Sequence, residues 1–407
     1  MQKSQQVLNA AVLVSALGYF VDIYDLILFS IVRISSLQSL GLEGQELFDQ
    51  GVRLLNMQML GMLLGGVLWG VLGDKRGRLS VLFGSILMYS VANILNGLVQ
   101  TVDQYAWLRL VAGIGLAGEL GAGITLVSEV LPKEKRGLGT TLVAAFGICG
   151  AVLAAQIAET FNWRTAFYMG GALGLALLFL RISVFESDLF AAVKAQVQNR
   201  GDFFQLFKPA SRLKRYVSCI LIGIPIWYVI GILVTFSPEF AAALGSSDSI
   251  SPGKSVMYSY IGLALGDLSS GLASQFLKSR KWVVRIFLFL VIAFVALFLG
   301  SAAPSAGLLY LLCLALGFAA GYWAVFVTIA AEQFGTNLRA TAATSIPNFV
   351  RGSVVPLTLC FAYLKSHLGM IGAGWLVGAL SLGLAFLGLS QLKETFSKDL
   401  DYLEDVH

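Results

Sequence analysis

The sequence predicts an all-α integral membrane protein with twelve transmembrane helices in two six-helix bundles. Three observations lead to this prediction: the composition, a count of apolar stretches, and an internal repeat. Of the 407 residues, 57% are hydrophobic and 13% are charged, whereas soluble domains carry roughly 25% charged residues. The 44 glycines suit helices that pack closely inside a bilayer. This composition excludes a disordered chain and argues against an ordinary soluble enzyme.

Twelve stretches are long and apolar enough to cross a bilayer, which takes about 20 residues as a helix. The first six are residues 8–32, 54–73, 79–99, 104–130, 138–158 and 165–182. The second six are residues 216–243, 255–277, 282–302, 307–331, 340–364 and 368–391. The first stretch holds two aspartates and is too long for a cleavable signal peptide.

The basic residues of the loops lie mostly on one side of the predicted membrane. Loops after spans two, four and eight contain Lys75, Arg76, Arg78, Lys133, Lys135, Arg136, Lys278, Arg280 and Lys281. The central loop is also basic, whereas the alternate loops offer few basic residues, such as Arg53, Arg164, Lys254 and Lys365. Since cytoplasmic loops are enriched in Lys and Arg, we expect both termini to be cytoplasmic, in a bacterial inner membrane.

An internal repeat relates the two sets of spans. The pattern Glu-x6-Arg ends span four at residues 129–136 and span ten at residues 332–339, 203 positions apart, and Gly118 matches Gly321 at the same offset. Two parallel halves with a substrate site between them at mid-membrane are a transporter architecture. The predicted organisation is an N-terminal bundle (1–182), a cytoplasmic linker (183–215), a C-terminal bundle (216–392) and a solvated cytoplasmic tail (393–407).

The loop after span two carries a glycine, an acid and basic residues at fixed spacing. It reads Gly-Val-Leu-Gly-Asp-Lys-Arg-Gly-Arg over residues 70–78. This segment resembles the signature loop of the major facilitator superfamily, except that Leu79 replaces its last basic residue. The resemblance implies the major facilitator fold and a charge relay that latches one conformation. The latch residues are Gly70, Asp74, Arg78, Glu129 and Arg136. A solvated turn that only supplies positive charge is the alternative.

Span four begins with an arginine followed by spaced glycines. Arg109, Gly113 and Gly115 form the pattern Arg-x3-Gly-x-Gly, which resembles a signature of proton-driven superfamily members. The glycines form a flat strip on which a partner helix can pack, and packing alone is the alternative function of this pattern. The following pair, Gly118 and Glu119, resembles the metabolite:proton symporter group.

Span one contains two acids, Asp22 and Asp25, on one helix face because they are three residues apart. Two carboxylates side by side in a low dielectric cannot both ionise at little cost, so one is expected to hold a proton. With Tyr24, they resemble the [Asp/Glu]-x-Tyr-Asp pattern of metabolite:proton and aromatic acid:proton symporters, and partly that of sugar:proton symporters. The resemblance implies that Asp25, with Asp22, couples protons through Arg109, and Glu119 is a second candidate. A purely structural role is the alternative.

The second half contains intramembrane charges of its own. Arg351 lies in span eleven with Asn348 one turn before it, and Asp267 lies near the middle of span eight. Arg351 is a candidate for binding an anionic group of a substrate, and a fixed salt bridge with Asp267 is the alternative. We therefore predict a substrate site that includes Arg351, Asn348 and Asp267, with the aromatic side chains of Tyr24, Trp227 and Tyr322.

The resemblance implies a monomeric secondary active transporter that moves a small polar organic solute, favoured to be a carboxylate, together with protons. The four intramembrane acids outnumber Arg109 and Arg351, so a cation, a zwitterion or a metal ion, moved by symport or antiport, stays open. A receptor or scaffold on the same fold is a remote alternative. No cofactor, structural metal or nucleic-acid partner is expected, since the chain has four dispersed cysteines, two histidines and no arginine-rich tract. No nucleophile–base pair occurs at catalytic spacing, so an enzyme is not expected.

Overall fold

The computed structural model describes residues 2–76, 78–119, 136–185, 203–396 and 404, and these residues contain helices but no strand. The N-terminal lobe comprises helices α1 Gln2–Ser39, α2 Gly44–Arg76, α3 Arg78–Asn96, α4 Val102–Leu116, α5 Arg136–Thr160 and α6 Trp163–Phe185. The C-terminal lobe comprises α7 Ala210–Tyr228, α8 Ser237–Ala243, α9 Pro252–Phe276, α10 Arg280–Gly300, α11 Ala306–Ala320, α12 Trp323–Glu332, α13 Thr336–Gly352 and α14 Val354–Gln391. A short 3-10 helix, Phe203–Phe207, precedes the second lobe.

Each predicted span coincides with helix in the described residues. Seven described stretches are long and apolar enough to cross a membrane, and one of them, Asn337–Gln391, has 55 residues, enough for two crossings of about 20 residues each. Within it the chain turns at Gly369, whose φ of 70° lies in the left-handed region that only glycine adopts readily. This turn separates predicted spans eleven and twelve. The end of predicted span four, residues 120–130, lies outside the described residues.

Glycines bring neighbouring helices into backbone contact in both lobes. A Cβ on Gly113 of α4 would lie 2.1 Å from the Gln58 carbonyl oxygen of α2, and one on Gly317 of α11 would lie 1.9 Å from the Ser259 carbonyl oxygen of α9. Helix α1 packs against α5 in the same manner, through Gly150. Small residues at such contacts allow van der Waals packing inside the bilayer, and they hold α4 close to α2 and α1 close to α5.

Two predicted spans are interrupted helices. Span seven consists of α7, a π-helical turn Val229–Val234 and the short α8. Span ten breaks between α11 and α12 at Gly321, where a Cβ would lie 2.5 Å from the Cα of Gly266 in α9. Helix α4 likewise ends just before Gly118, the residue that the repeat pairs with Gly321. Interrupted helices expose backbone groups that are tolerated at mid-membrane only where protein satisfies them.

The two lobes touch near the α1–α2 turn, on the side opposite the start of α1. Arg33 of α1 donates to Glu239 of α8 at 2.5 Å, and its guanidinium lies 4.5 Å from the centre of the Phe236 ring. Nearby, the Thr235 hydroxyl donates to Ser30 at 3.2 Å, so the π-helical turn takes part in this contact. We call the Arg33–Glu239 pair the cross-lobe ion pair.

The C-terminal segment is held against the second lobe, which corrects the expectation of a solvated tail. Glu394 accepts hydrogen bonds from the Ser279 hydroxyl and from the backbone N–H groups of Arg280 and Lys281. Glu404 forms ion pairs with Arg212 at 3.2 Å and Arg215 at 2.8 Å. Acidic residues in this segment therefore bind basic residues at the ends of α7 and α10.

Candidate functional site

Asp22 and Asp25 lie on α1 in the middle of the protein, and both side chains are fully buried. Among the described residues, none of their four carboxylate oxygens has a hydrogen-bond partner. Gly170 of α6 leaves room for Asp25, because a Cβ there would lie 2.4 Å from Oδ1. Burial of acids without hydrogen bonds is costly inside a membrane and is the expected signature of a functional group.

Arg109 of α4 lies beside Asp25, as the sequence predicts, although the two side chains do not form a direct ion pair. The guanidinium contacts the rings of Phe29 and Phe167, with centroids at 5.6 and 5.5 Å. Its Nη1 donates to Oδ1 of Asn93 at 3.5 Å, while Nε and Nη2 have no partner. Asn93 also neighbours the Asp25 carboxylate. Asp25, Asn93 and Arg109 thus form a buried cluster within the N-terminal lobe.

Arg351 of α13 is 1% exposed and faces Asp22 across the lobe boundary, with Nη2 3.6 Å from Oδ2. Its guanidinium lies 5.7 Å from the centre of the Trp323 ring. The alternative pairing of Arg351 with Asp267 is wrong in this structure. Asp267 instead accepts a hydrogen bond from the backbone N–H of Ala324 at 3.0 Å, since the break at Gly321 exposes the first N–H groups of α12.

Glu119 forms a buried ion pair with Arg181 of α6, and each side chain is 2% exposed. The pair is bidentate, with Nη1 2.9 Å from Oε2 and Nη2 contacting Oε1. Gly18 of α1 packs directly on this pair. The sequence reasoning missed Arg181 because it lies at the end of predicted span six, where an arginine ordinarily reaches the interface. With Arg181 included, the excess of intramembrane acids over arginines is smaller than the sequence predicts.

Other predicted site residues are placed in packing positions. The hydroxyl of Tyr24 donates to the Ala166 carbonyl at 2.8 Å, and that of Tyr322 donates to the Ile222 carbonyl at 2.9 Å. Trp227 is buried and its Nε1 has no partner. The aromatic ring beside Arg351 belongs to Trp323, the residue that follows Tyr322.

Asn348 contributes a second contact across the lobe boundary. Its Nδ2 donates to the carbonyl of Ala117, just past the end of α4, at 3.0 Å. Its Oδ1 is buried without a partner among the described residues. A Cβ added to Gly66 of α2 would lie 2.9 Å from the Cβ of Asn348. Asn348 therefore lies one turn from Arg351 on the same lobe boundary.

The structure describes only part of the predicted latch. The side chains of Asp74, Arg78 and Arg136, and all of Glu129, lie outside the described residues. Gly70 is described, and a Cβ on it would lie 3.8 Å from Phe203 of the 3-10 helix.

The C-terminal lobe contains an ion pair between Arg280 and Glu332. Arg280 donates to both oxygens of Glu332, at 2.6 and 2.8 Å, and the hydroxyl of Thr395 donates to the same carboxylate at 2.7 Å. Glu332 is the residue that the 203-residue offset pairs with Glu129. Its partner Arg280 corresponds to Gly77 at this offset (280 − 203 = 77), so the sequence repeat identifies Glu332 but not the ion pair.

Comparison with known proteins agrees with this arrangement. The family model of the Major Facilitator Superfamily matches residues 12–355. A niacin transporter of Acinetobacter baylyi is 26% identical, covering 71% of this chain and 73% of that protein. A 3-(3-hydroxy-phenyl)propionate transporter of Escherichia coli is 26% identical, covering 70% of each chain. The crystal structure of a D-xylose-proton symporter superposes with a TM-score of 0.68 at 18% identity, over 96% of this chain and 99% of that one.

The family match and these relatives show that the protein is a membrane transporter rather than an enzyme. The chain belongs to the Major Facilitator Superfamily. The prediction of an all-α fold of two six-helix bundles is thereby confirmed.

Proposed function

We propose that the protein is a proton-coupled symporter of a small organic carboxylate that works by alternating access. The observation that carries this proposal is Arg351, a buried guanidinium at the lobe boundary whose Nε and Nη1 have no hydrogen-bond partner in the described part of the chain. Buried guanidinium groups bind carboxylates through two parallel hydrogen bonds. A site between two pseudo-equivalent lobes is accessible from either side of the membrane in turn.

The substrate class is supported by the relatives and by the charge balance. Niacin and 3-(3-hydroxy-phenyl)propionate, named for two relatives, are both carboxylic acids. Arg181 pairs with Glu119, and Asp267 is hydrogen-bonded at the start of α12. Because these two acids already have partners, the excess of acidic residues gives less support to a cationic substrate.

Proton coupling is supported by the cluster of Asp25, Asn93 and Arg109. A carboxylate without hydrogen bonds beside a guanidinium can take up a proton when the guanidinium moves away. In our proposal Asp25 alternates between proton and Arg109 while the lobes rock, and Glu119 stays paired. The proposal also includes a monomeric state, cytoplasmic termini and a location in the inner membrane. It further includes the latch and the bundle boundaries at 182 and 216.

Uptake into proteoliposomes tests the proposal. A proton gradient, acidic outside, should drive accumulation of radiolabelled nicotinate or 3-(3-hydroxyphenyl)propionate, and Asp25→Asn should reduce accumulation to background while leaving counterflow exchange. Asp103→Asn is the matched control, since Asp103 is an exposed acid paired with Arg53 at 2.7 Å. Undiminished uphill uptake by Asp25→Asn contradicts the coupling role, and gradient-driven uptake of choline but no carboxylate favours a cation transporter.

A further inference from the structure

Asp22 and Arg351 are the buried acid and the buried base that meet across the lobe boundary at the middle of the protein. We propose that Asp22 occupies the position on Arg351 that the substrate carboxylate takes, so that substrate binding to Arg351 requires a proton on Asp22. This inference rests on the proposed function and goes further, because it makes one residue link the proton to the substrate.

The geometry of the pair is that of an incomplete ion pair. Nη2 of Arg351 and Oδ2 of Asp22 are 3.6 Å apart, whereas charge-assisted hydrogen bonds of this type measure about 2.7–2.9 Å. Nε and Nη1 of Arg351 are buried without a partner among the residues that the structure describes, and within the same set neither oxygen of Asp22 accepts a hydrogen bond. A salt bridge that served only to hold the lobes together is expected to be short and bidentate, as Arg181–Glu119 is. Arg351 therefore has donors available for a second carboxylate.

The surroundings of Asp22 make two carboxylates at Arg351 unfavourable. The titratable groups facing Asp22 are Tyr19 and Asp25 on α1, Tyr89 on α3, Glu119 just after α4, Tyr260 on α9 and Arg351 on α13. Among these groups Arg351 is the cation. When a substrate carboxylate takes over Arg351, Asp22 is left in a buried, acidic neighbourhood where its charged form is strongly disfavoured. Protonation of Asp22 removes that conflict.

Asp22 differs from Asp25 in the lobe to which its partner belongs. Asp25 and Arg109 are both in the N-terminal lobe, so their separation requires a movement within that lobe. Asp22 and Arg351 are in different lobes, so a movement of one lobe relative to the other can separate them directly. Asp22 is thus the acid whose counter-charge lies across the lobe boundary and is shared with the substrate.

Benzoate binding to the purified full chain tests the proposal, with calorimetry from pH 5 to pH 8. In the wild type the affinity should fall by about tenfold per pH unit on the alkaline side, as expected when one proton must bind with the ligand. In Asp22→Asn the affinity should be independent of pH over this range. Asp103→Asn is the control and should keep the slope, because Asp103 is an exposed acid outside this site and Asp22 is intact.

A second measurement uses only the wild type and does not depend on how well the variant folds. Benzoate added in weak buffer should cause uptake of close to one proton per ligand bound. A pH-dependent affinity that persists in Asp22→Asn, or benzoate binding without proton uptake by the wild type, overturns this inference alone. If no binding of benzoate, nicotinate or 3-(3-hydroxyphenyl)propionate occurs at any pH, the carboxylate function fails as well.

Discussion

At the residue scale, the absence of a side chain at Gly18 is as important as the charges beside it. A Cβ on Gly18 would lie 2.1 Å from Nη2 of Arg181 and 2.3 Å from Oε1 of Glu119. The glycine therefore lets α1 pack on the ion pair, which joins α6 to the end of α4. This contact supports the position of α1, the helix that carries Asp22 and Asp25.

Removing one member of this ion pair should destabilise the protein. Arg181→Met leaves Glu119 buried without a counter-charge, and breaking a buried pair in this way costs about 3–5 kcal/mol. We expect a lower thermal unfolding temperature in detergent. The double variant Glu119→Leu with Arg181→Met is the control, because replacing both charges by apolar groups should restore most of the loss. An Arg181→Met variant as stable as the wild type contradicts the role assigned to the pair.

Individual residues were predictable where spacing along one helix decides the outcome. Asp22 and Asp25 share a face of α1, and Arg109 was placed beside Asp25 by resemblance. Arg181 was not predictable, because the depth of a residue near a span end depends on the tilt of neighbouring helices. The partner of Asp267 was not predictable either, since it is a backbone group exposed by the break at Gly321.

At the scale of elements, the segment after α14 is hydrogen-bonded to the residues at the start of α10. Glu394 receives hydrogen bonds from Ser279 and from the backbone N–H groups of Arg280, Lys281 and Phe396. Desolvation alone would raise the pKa of Glu394, but these hydrogen bonds prevail and lower it to about 2. The contact is therefore maintained by a carboxylate that stays ionised at ordinary pH.

The lowered pKa of Glu394 gives this segment a predictable pH dependence. A carboxyl group whose folded-state pKa is below its ordinary value of 4.5 stabilises the folded state above that value. The stabilisation is lost as the pH falls from about 4.5 towards 2. Hydrogen exchange of the Arg280 and Lys281 amides should accelerate over this interval, after correction for the intrinsic rate.

Glu394→Gln is the matched variant for this measurement. Its corrected exchange should already be fast at pH 7 and should change little on acidification. Corrected exchange in the variant that equals the wild type at pH 7 would show that Glu394 does not hold the segment.

The twelve spans were predictable from length and apolar composition, but their interruptions were not. The π-helical turn Val229–Val234 and the break at Gly321 lie inside continuously apolar sequence. They arise from contacts with other helices, such as Gly321 against Gly266. Hydrophobic periodicity carries no information about such contacts.

At the scale of the whole molecule, the lobes are in contact on the side of the α1–α2 turn. Arg33 is fully buried there, and the side chain of Glu239 is 24% exposed. Between this contact and the middle of the protein, the hydroxyl of Thr358 donates to Asn56 at 2.5 Å. For a transporter with alternating access, these contacts have to separate before a substrate can enter or leave from this side.

Weakening the cross-lobe ion pair should increase access from this side. Glu239→Gln removes the counter-charge of Arg33, so the lobes should separate there more often. A cysteine introduced at Ser30, which is 8% exposed, should react faster with a membrane-impermeant maleimide in the Glu239→Gln background than in the wild type. The reaction is measured against protein without the added cysteine.

The matched control for this experiment is Arg53→Gln. Arg53 pairs with Asp103 at 2.7 Å within one lobe, and the side chains of both are exposed. Exposed pairs contribute little, so labelling of the Ser30 cysteine should be unchanged. Equal labelling in the Glu239→Gln and wild-type backgrounds would show that the cross-lobe ion pair does not limit access from this side.

The anchoring of Glu404 has a practical consequence for protein production. Its carboxylate binds the guanidinium groups of Arg212 and Arg215, and its backbone carbonyl accepts a hydrogen bond from Asn337. Shortening the chain ahead of this residue, as is common before crystallisation, leaves two arginines at the start of α7 without their carboxylate. Protein produced for structural work should therefore retain Glu404 and carry any affinity tag beyond it.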